Sequence, residues 1–173
     1  MGTTLMDPVH DNWLSEYFRA KRIIVTGAAG FIGSNVVARF RNVDCHVTRV
    51  LRRPAELSVP ATAQIKDIIG DVRDARLWME ILPGADIVYH LASQTSGSVA
   101  EADPESDFRN NVLPMLHMLE ACERVHVCPS IIFSSTATVF GFPHRLPVDD
   151  TLPDEPATVY DRDRKSTRLN SSH

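Results

Sequence analysis

The segment with the clearest chemical meaning is the glycine-rich turn TGAAGFIG at residues 26–33, in which Gly27, Gly30 and Gly33 are evenly spaced. Glycine lets the chain bend tightly, lets the backbone approach a pyrophosphate without a Cβ in between, and lets a following helix pack closely. The first turn of that helix offers unpaired N–H groups to an anion. The segment therefore predicts a dinucleotide site, with a glycine-rich turn that binds nothing as the alternative.

The residues around this turn have the periodicity of a strand, a helix and a second strand. Residues 21–26 contain a short β-branched run that predicts a buried strand. Residues 30–41 then place Ile32, Val36 and Phe40 on one face at helical spacing, and residues 45–51 return to a strand pattern. Together they form a βαβ unit.

The same alternation continues along the chain. Further strands are predicted at residues 65–69, 85–92 and 131–133, and helices at 74–82 and 104–125. Because Pro114 removes a helical hydrogen bond, we expect a kink or a break in the second of these helices. Strands that alternate with helices predict an α/β fold, a Rossmann-type doubly wound parallel sheet.

Composition and charge narrow the class of protein. The 173 residues suffice for one domain, and 43% are hydrophobic and 23% charged, as in soluble globular proteins. The net charge of -4 argues against nucleic acid as a partner. No apolar stretch approaches the ~18 residues that span a bilayer, so we expect a cytoplasmic protein without a membrane partner. The cysteines and histidines lack metal-ligand spacing, so no metal site is predicted.

These segments together resemble one known family. Residues 21–160 are similar to the extended short-chain dehydrogenases/reductases, and within them to the NAD-dependent epimerase/dehydratase family. Besides the glycine turn, the resemblance is carried by GDVRD at 70–74, HLA at 90–92, NNV at 110–112 and the expected active-site strand FSSTATVFG at 133–141. It implies a Rossmann domain that binds NAD or NADP.

The resemblance assigns cofactor contacts to the ends of successive strands. Asp71 and Val72 would hold the adenine; a helix N-cap is the alternative for Asp71, although Asp74 suits that role better. Asn111 would support the loops around the cofactor, with a solvated polar position as the alternative. The predicted cofactor-binding set is Gly27, Gly30, Phe31, Ile32, Gly33, Arg52, Asp71, Val72, Leu91, Ala92, Asn111 and Tyr160.

Two side chains resemble the family's catalytic pair. Thr136 falls at the catalytic serine or threonine, whose hydroxyl hydrogen-bonds the substrate oxygen; an ordinary strand threonine is the alternative. Tyr160 follows an acidic, proline-rich loop, as the catalytic tyrosine does, and needs a nearby positive charge to act at neutral pH. The family has lysine four positions later. Here that place holds Arg164, followed by Lys165, and neither is assigned the lysine's role.

The end of the second predicted strand bears on the choice of cofactor. Family members that prefer NAD carry an acidic residue there, which binds the ribose 2'-hydroxyl. Leu51 occupies that place and is followed by Arg52 and Arg53. Because arginine can hold a 2'-phosphate through two hydrogen bonds, the sequence leans slightly to NADP over NAD; two surface arginines beside a turn are the alternative.

The chain is expected to comprise an N-terminal extension at 1–20, an incomplete NAD(P)-binding Rossmann domain at 21–162 and a tail at 163–173. The tail reads DRKSTRLNSSH, lacks a hydrophobic period and resembles the in-frame translation of a sequencing adapter. We therefore expect the tail to be non-native and the chain to be truncated before the substrate domain and catalytically inactive.

The function implied by the resemblance is epimerisation or dehydration of a nucleotide sugar, in which bound cofactor removes a hydride from a sugar carbon and returns it. The full-length protein is implied to be a homodimer. One alternative is an NADP-dependent reductase or hydroxysteroid-type dehydrogenase. Another is a non-catalytic NADP-sensing Rossmann protein, against which the presence of both Thr136 and Tyr160 argues.

Overall fold

The helices and strands follow the predicted alternation. A computed structural model describes residues 8–55, 63–149 and 151–170. The helices are α1 (Pro8–Tyr17), α2 (Phe31–Phe40), α3 (Ala75–Ile81), α4 (Gly97–Ala102), α5 (Pro104–Asn111), α6 (Leu113–Arg124) and α7 (Val159–Asn170), and a short 3-10 helix spans Ala137–Phe140. The strands are β1 (Arg22–Thr26), β2 (His46–Leu51), β3 (Gln64–Ile69), β4 (Ile87–His90) and β5 (Ser130–Phe133). Within the described ranges, no helix is both long and apolar enough to cross a membrane.

The strands form one parallel sheet in the order β3-β2-β1-β4-β5. In register, Ile24 of β1 lies beside Thr48 of β2 on one side and beside Val88 of β4 on the other. The chain runs outward from β1 to β3 in one direction and from β4 to β5 in the other. The carboxyl ends of β1 and β4 therefore mark the switch point at which such sheets bind ligands. This topology confirms the predicted Rossmann-type doubly wound sheet.

The core lies on both faces of the sheet because alternate residues of each central strand point to opposite sides. Ile23 and Val25 of β1 belong to the cluster that packs under α2, whereas Ile24 belongs to the cluster under α3 and α6. In the second cluster Trp78 is fully buried, and its indole N–H donates to the Val72 carbonyl at 2.7 Å. This bond ties α3 to the segment that follows β3.

The buried face of α2 differs from the predicted one. Gly33, Val37 and Phe40 face the core, whereas Ile32 is 53% exposed. The expectation that Ile32 faces the core with Phe40 is therefore wrong. The reason is that the helix must approach the sheet at its first turn, where only glycine is small enough, and this requirement sets the rotation of the whole helix.

The predicted helix at 104–125 is divided into α5 and α6, which meet at Val112. Pro114 lies in the first turn of α6, where its missing N–H is tolerated, so the expected break is confirmed.

The interpretation of residues 133–141 as one strand is wrong, because β5 ends at Phe133 and a 3-10 helix begins at Ala137. The Thr136 hydroxyl accepts from the Thr138 N–H and so caps that helix. Such local side-chain bonds compete with strand pairing. The segment therefore leaves the sheet immediately before the position predicted to be catalytic.

Candidate functional site

The glycine turn connects β1 to α2 at the switch point, and its glycines are required by close contacts. Gly27 has φ 64°, and a Cβ there would lie 2.8 Å from the Ala92 nitrogen. A Cβ on Gly33 would overlap the Gly27 carbonyl oxygen. Gly30 is the N-cap of α2 and supplies no side-chain cap. The turn therefore packs against the end of β4. Because Gly30 has no side chain to cap the first N–H groups of α2, an anionic ligand can bind to those groups.

A buried hydroxyl below the turn joins β1 to β4. The Thr26 Oγ1 accepts from the N–H groups of Leu91 and Ala92, at 3.1 Å each, and lies 2.9 Å from Nδ1 of His90. Since both lone pairs of the hydroxyl are occupied, its proton is donated to Nδ1, and His90 is neutral with its proton on Nε2. Burial, reinforced by the positive charge of Arg164, lowers the pKa of His90 to about 4. His90 is thus a structural histidine.

A cavity of about 680 Å³ lies between the carboxyl ends of β1, β2, β3 and β4. It brings together seven of the residues predicted to bind cofactor, which are Gly27, Gly30, Arg52, Asp71, Val72, Leu91 and Ala92. Arg53 and Asn110 also line it and were not in the predicted set of contacts, although Arg53 follows Arg52 at the end of the second strand and Asn110 begins the NNV segment.

The remaining predicted residues lie outside the cavity lining. The side chains of Phe31 and Ile32, at 87% and 53% exposed, stand on the first turn of α2. Gly33 packs behind the turn, where it meets Gly27. Thr136 and Tyr160 lie beyond β5, on the 3-10 helix cap and on α7.

Asp71 faces the cavity with its carboxylate held by a neighbour. The Arg73 Nη2 lies 2.5 Å from the Asp71 Oδ2, and the Arg73 backbone N–H donates to Oδ1 at 2.9 Å. These bonds, with a smaller contribution from Arg52, lower the pKa of Asp71 below its ordinary value. Asp74 caps α3 by accepting from the Arg76 N–H at 2.9 Å, so the expected capping residue is confirmed.

Asn111 lies behind the cavity and is 2% exposed. Its Oδ1 accepts from the Gln94 N–H at 2.9 Å, and its Nδ2 donates to the Asp107 Oδ1 at 2.9 Å. Gln94 in turn donates through Nε2 to the same Asp107 oxygen, at 2.9 Å. The amide therefore holds the loop after β4, whose residues Ser93 and Gln94 line the cavity.

A chain of hydroxyl groups leads from Thr136 to a buried carboxylate. The Oγ1 atoms of Thr136 and Thr138 are 2.9 Å apart, and the Thr138 hydroxyl donates to Oδ1 of Asp161, which is 4% exposed. Because Thr138 donates its only proton to Asp161, the proton between the two threonines belongs to Thr136. Burial alone would raise the pKa of Asp161, but hydrogen bonds from Thr138 and Thr158 outweigh it and lower that pKa. Asp161 was not predicted from the sequence, since only the fold brings it to Thr138.

Tyr160 lies against a cation at the start of α7. The guanidinium carbon of Arg164 is 5.1 Å from the Tyr160 ring centroid. Arg164 is 5% exposed and donates to the carbonyl of Gln94 at 3.1 Å and to that of Ser134 at 3.4 Å. Lys165 instead donates to the Asp154 carbonyl, at 2.8 Å. Of Arg164 and Lys165, Arg164 is therefore the one that reaches the segments that follow β4 and β5.

Metal ligands are not assembled in the part of the chain that the structure describes, which contains no group of three or more histidine, cysteine, aspartate or glutamate side chains suited to an ion. Asp107 and Asp161 are both engaged by the amide and hydroxyl groups described above. The described part of the chain has a cavity at the switch point and, beyond β5, the hydroxyl-bearing side chains of Thr136 and Tyr160.

A doubly wound sheet with a tight glycine turn at its switch point defines a dinucleotide-binding domain of the Rossmann class. Comparison with known sequences is more specific: residues 23–166 match the NAD dependent epimerase/dehydratase family, and the chain belongs to that family. The match extends four residues past Arg162, into the segment that resembles an adapter translation.

Individual relatives share between a quarter and a third of their aligned residues with this chain. UDP-glucuronate 4-epimerase 1 of Arabidopsis thaliana is 28% identical over 157 residues, which are 83% of this chain and 36% of the relative. The dTDP-glucose 4,6-dehydratase of Mycolicibacterium smegmatis is 30% identical over 157 residues, which are 86% and 47% of the two chains.

Among solved structures, UDP-glucose 4-epimerase from Bifidobacterium longum, in complex with NAD+ and UDP, superposes with a TM-score of 0.76 at 27% identity. That match covers 86% of this chain and 47% of the epimerase. The chain thus spans less than half the length of each of these relatives.

Proposed function

We propose that this chain is the cofactor-binding part of a nucleotide-sugar epimerase or dehydratase. The observation that carries the proposal is the cavity at the switch point, which the glycine turn closes on one side and the end of β4 closes on another. Membership of the family and the likeness to UDP-sugar and dTDP-sugar enzymes support this substrate class. Homodimerisation and a cytoplasmic location belong to the same proposal.

The residues that line the cavity fit a nicotinamide dinucleotide. Gly27 and Gly30 bring the backbone close to a pyrophosphate, and the N–H groups of Phe31 and Ile32 lie at the start of α2. Asp71 and Val72 take the adenine, and Leu91 and Ala92 lie beside the middle of the ligand. Gly33 and Asn111 do not line the cavity but support the segments that do. Gly33 lets α2 approach the glycine turn, and Asn111 holds the loop that contains Gln94.

We propose Thr136 and Tyr160 as the catalytic residues. The dinucleotide supplies the acceptor that takes a hydride from the sugar carbon and gives it back. The Thr136 oxygen accepts from the Thr138 N–H, and its proton points to the Thr138 hydroxyl; when a sugar binds, that proton turns to the sugar oxygen and stabilises the charge that develops there. Tyr160 acts as the base for the sugar hydroxyl, and a lysine four positions later in the uninterrupted protein would supply the positive charge that this role requires.

NADP is the cofactor we favour, although the Bifidobacterium longum structure contains NAD+. Leu51 provides no carboxylate to repel a 2'-phosphate, and Arg52 and Arg53 both line the cavity. Asp71 carries a negative charge nearby, but Arg73 pairs with it. A net positive charge therefore remains at the rim that faces the adenosine ribose.

We also propose that residues 163–173 are non-native and that the chain as it stands is inactive. The adapter-like sequence of the tail supports the first point. The absence of lysine four positions after Tyr160 supports the second, because Arg164 is longer and forked and donates to two backbone carbonyls.

The function is tested with the protein that the uninterrupted gene encodes. That protein is incubated with UDP-sugars and dTDP-sugars, and both the sugar products and the reduced cofactor are followed. We expect an epimer or a 4-keto-6-deoxy product without net accumulation of reduced dinucleotide. Stoichiometric release of reduced cofactor would instead assign a dehydrogenase, and bound dinucleotide without any turnover would favour a sensor.

A further inference from the structure

A buried arginine beside the cofactor cavity has no role in the function proposed so far. Arg49 is 5% exposed and points to the α2 side of the sheet, between the core residues Val47 and Leu51. A buried guanidinium is costly unless it is fully paired, and an aliphatic side chain would fill this position at lower cost. The charge therefore calls for an explanation.

The Arg49 guanidinium binds a carboxylate and a backbone carbonyl. Its Nε donates to Oδ1 of Asp67 at 2.7 Å and its Nη2 donates to Oδ2 at 2.6 Å. Asp67 is the register partner of Arg49 on β3, so this pair spans the two strands. The Nη2 also donates to the carbonyl of Ala55 at 3.1 Å, beyond the end of β2.

The Ala55 contact closes a short loop that carries the two cavity arginines. At the start of the loop, the Leu51 carbonyl accepts from the Gly70 N–H at 2.9 Å, as the last link between β2 and the end of β3. At its end, the Ala55 carbonyl is held by Arg49. Arg52 and Arg53 lie between these two anchors and line the cavity.

We propose that Arg49 is a positioning residue for cofactor specificity: through Ala55 it holds Arg52 and Arg53 where they engage the 2'-phosphate of NADP. The inference rests on the proposed NADP preference. Asp67 neutralises the charge of Arg49 and orients its guanidinium. Arg49 therefore determines the position of Arg52 and Arg53 and does not itself add positive charge to the cavity. Lysine cannot replace it, because a single ammonium does not present the planar fork that binds Asp67 and Ala55 together.

The test measures NADP and NAD affinities of this chain by calorimetry, for the wild type, for Arg49→Lys and for Arg19→Lys, an exposed control. We expect Arg49→Lys to weaken NADP binding about tenfold, the loss of one hydrogen bond to a charged group, and NAD binding by less than about twofold. Arg19→Lys should change neither affinity.

A second comparison separates positioning from general damage to the fold. In a chain carrying Arg52→Ala and Arg53→Ala, adding Arg49→Lys should cause no further loss of NADP affinity, because the groups it positions are gone. An undiminished further loss, or an equal loss of NAD and NADP in the single variant, would overturn the inference. The inference would also be overturned if Arg49→Lys bound NADP with unchanged affinity while the variant with both alanines bound NADP more weakly. A different result would be a wild type that binds NAD tenfold tighter than NADP, with the NADP affinity unchanged in the variant with both alanines. That result would contradict the NADP preference itself, and the inference about Arg49 would fail with it.

Discussion

The Thr26 hydroxyl lies 2.9 Å from Nδ1 of His90 and joins the carboxyl ends of β1 and β4 beneath the glycine turn. It also accepts from two N–H groups of the segment that follows β4. One side chain therefore satisfies three polar groups at the switch point. The turn can approach β4 closely because this network fixes the backbone on which Gly27 rests.

Replacing Thr26 with valine should destabilise the protein by at least about 2 kcal/mol, because three polar groups lose their partner at a buried position. Thr26→Ser keeps the hydroxyl and should cost less, since it loses only a methyl group. Urea unfolding of the two variants measures the difference. Equal midpoints for the two would show that the hydroxyl does not stabilise the switch point.

His90 makes stability depend on pH. Its pKa in the folded protein is about 4, below the ordinary 6.5, so the unfolded chain binds the proton first as the pH falls. Stability should therefore drop by about 2 kcal/mol between pH 7 and pH 5 on account of His90.

Asp163 acts in the opposite direction over the same pH range. Burial, together with Asp107, raises its pKa to about 6, so protonation of Asp163 favours the folded state as the pH falls. The measurement is therefore the difference in pH dependence between wild type and His90→Asn, which leaves Asp163 in place. If both lose the same stability between pH 7 and pH 5, His90 is not the group responsible.

Gly27→Ala should abolish dinucleotide binding and lower stability, because alanine is strained at φ 64° and its Cβ would lie 2.8 Å from the Ala92 nitrogen. Gly97 in α4 is the matched control, since nothing lies within 4 Å of a Cβ added there. Thermal unfolding and NADP titration should leave Gly97→Ala close to the wild type. If Gly27→Ala bound NADP as tightly as the wild type, the glycine turn would not be part of the dinucleotide site.

Thr138 should matter for catalysis although it is not proposed to contact the substrate. In the uninterrupted protein, Thr138→Val breaks the link from Thr136 to Asp161 and should lower kcat about 10- to 100-fold through loss of orientation. Thr138→Ser keeps the hydroxyl and should restore most of the rate, with KM unchanged in both. Equal kcat values for the valine and serine variants would contradict this role.

The fold was predictable because the relevant signals are local. The run Ile23, Ile24, Val25 followed by glycines specifies a strand and a turn, and Pro114 specifies the break between α5 and α6. The glycine contacts follow from the same motif. The packing side of α2 was not predictable, since the closest approach of the helix to the sheet decides it rather than the hydrophobic period.

The parts of the site that sequence analysis missed depend on contacts between distant segments. Arg49 and Asp67 are neighbours only because β2 and β3 pair in this register. Thr138 meets Asp161 only when α7 packs beside the 3-10 helix. A single sequence specifies neither arrangement in advance, because each of these side chains is also common on an exposed surface.

Calorimetric titration of this 173-residue chain with NADP and with NAD measures directly whether the cavity binds a dinucleotide. We expect both to bind at a single site per chain, and we expect NADP to bind at least as tightly as NAD. Tenfold tighter binding of NAD, a difference of about 1.4 kcal/mol, would contradict the role of Arg52 and Arg53. Failure of a well-folded chain to bind either dinucleotide would contradict the central claim.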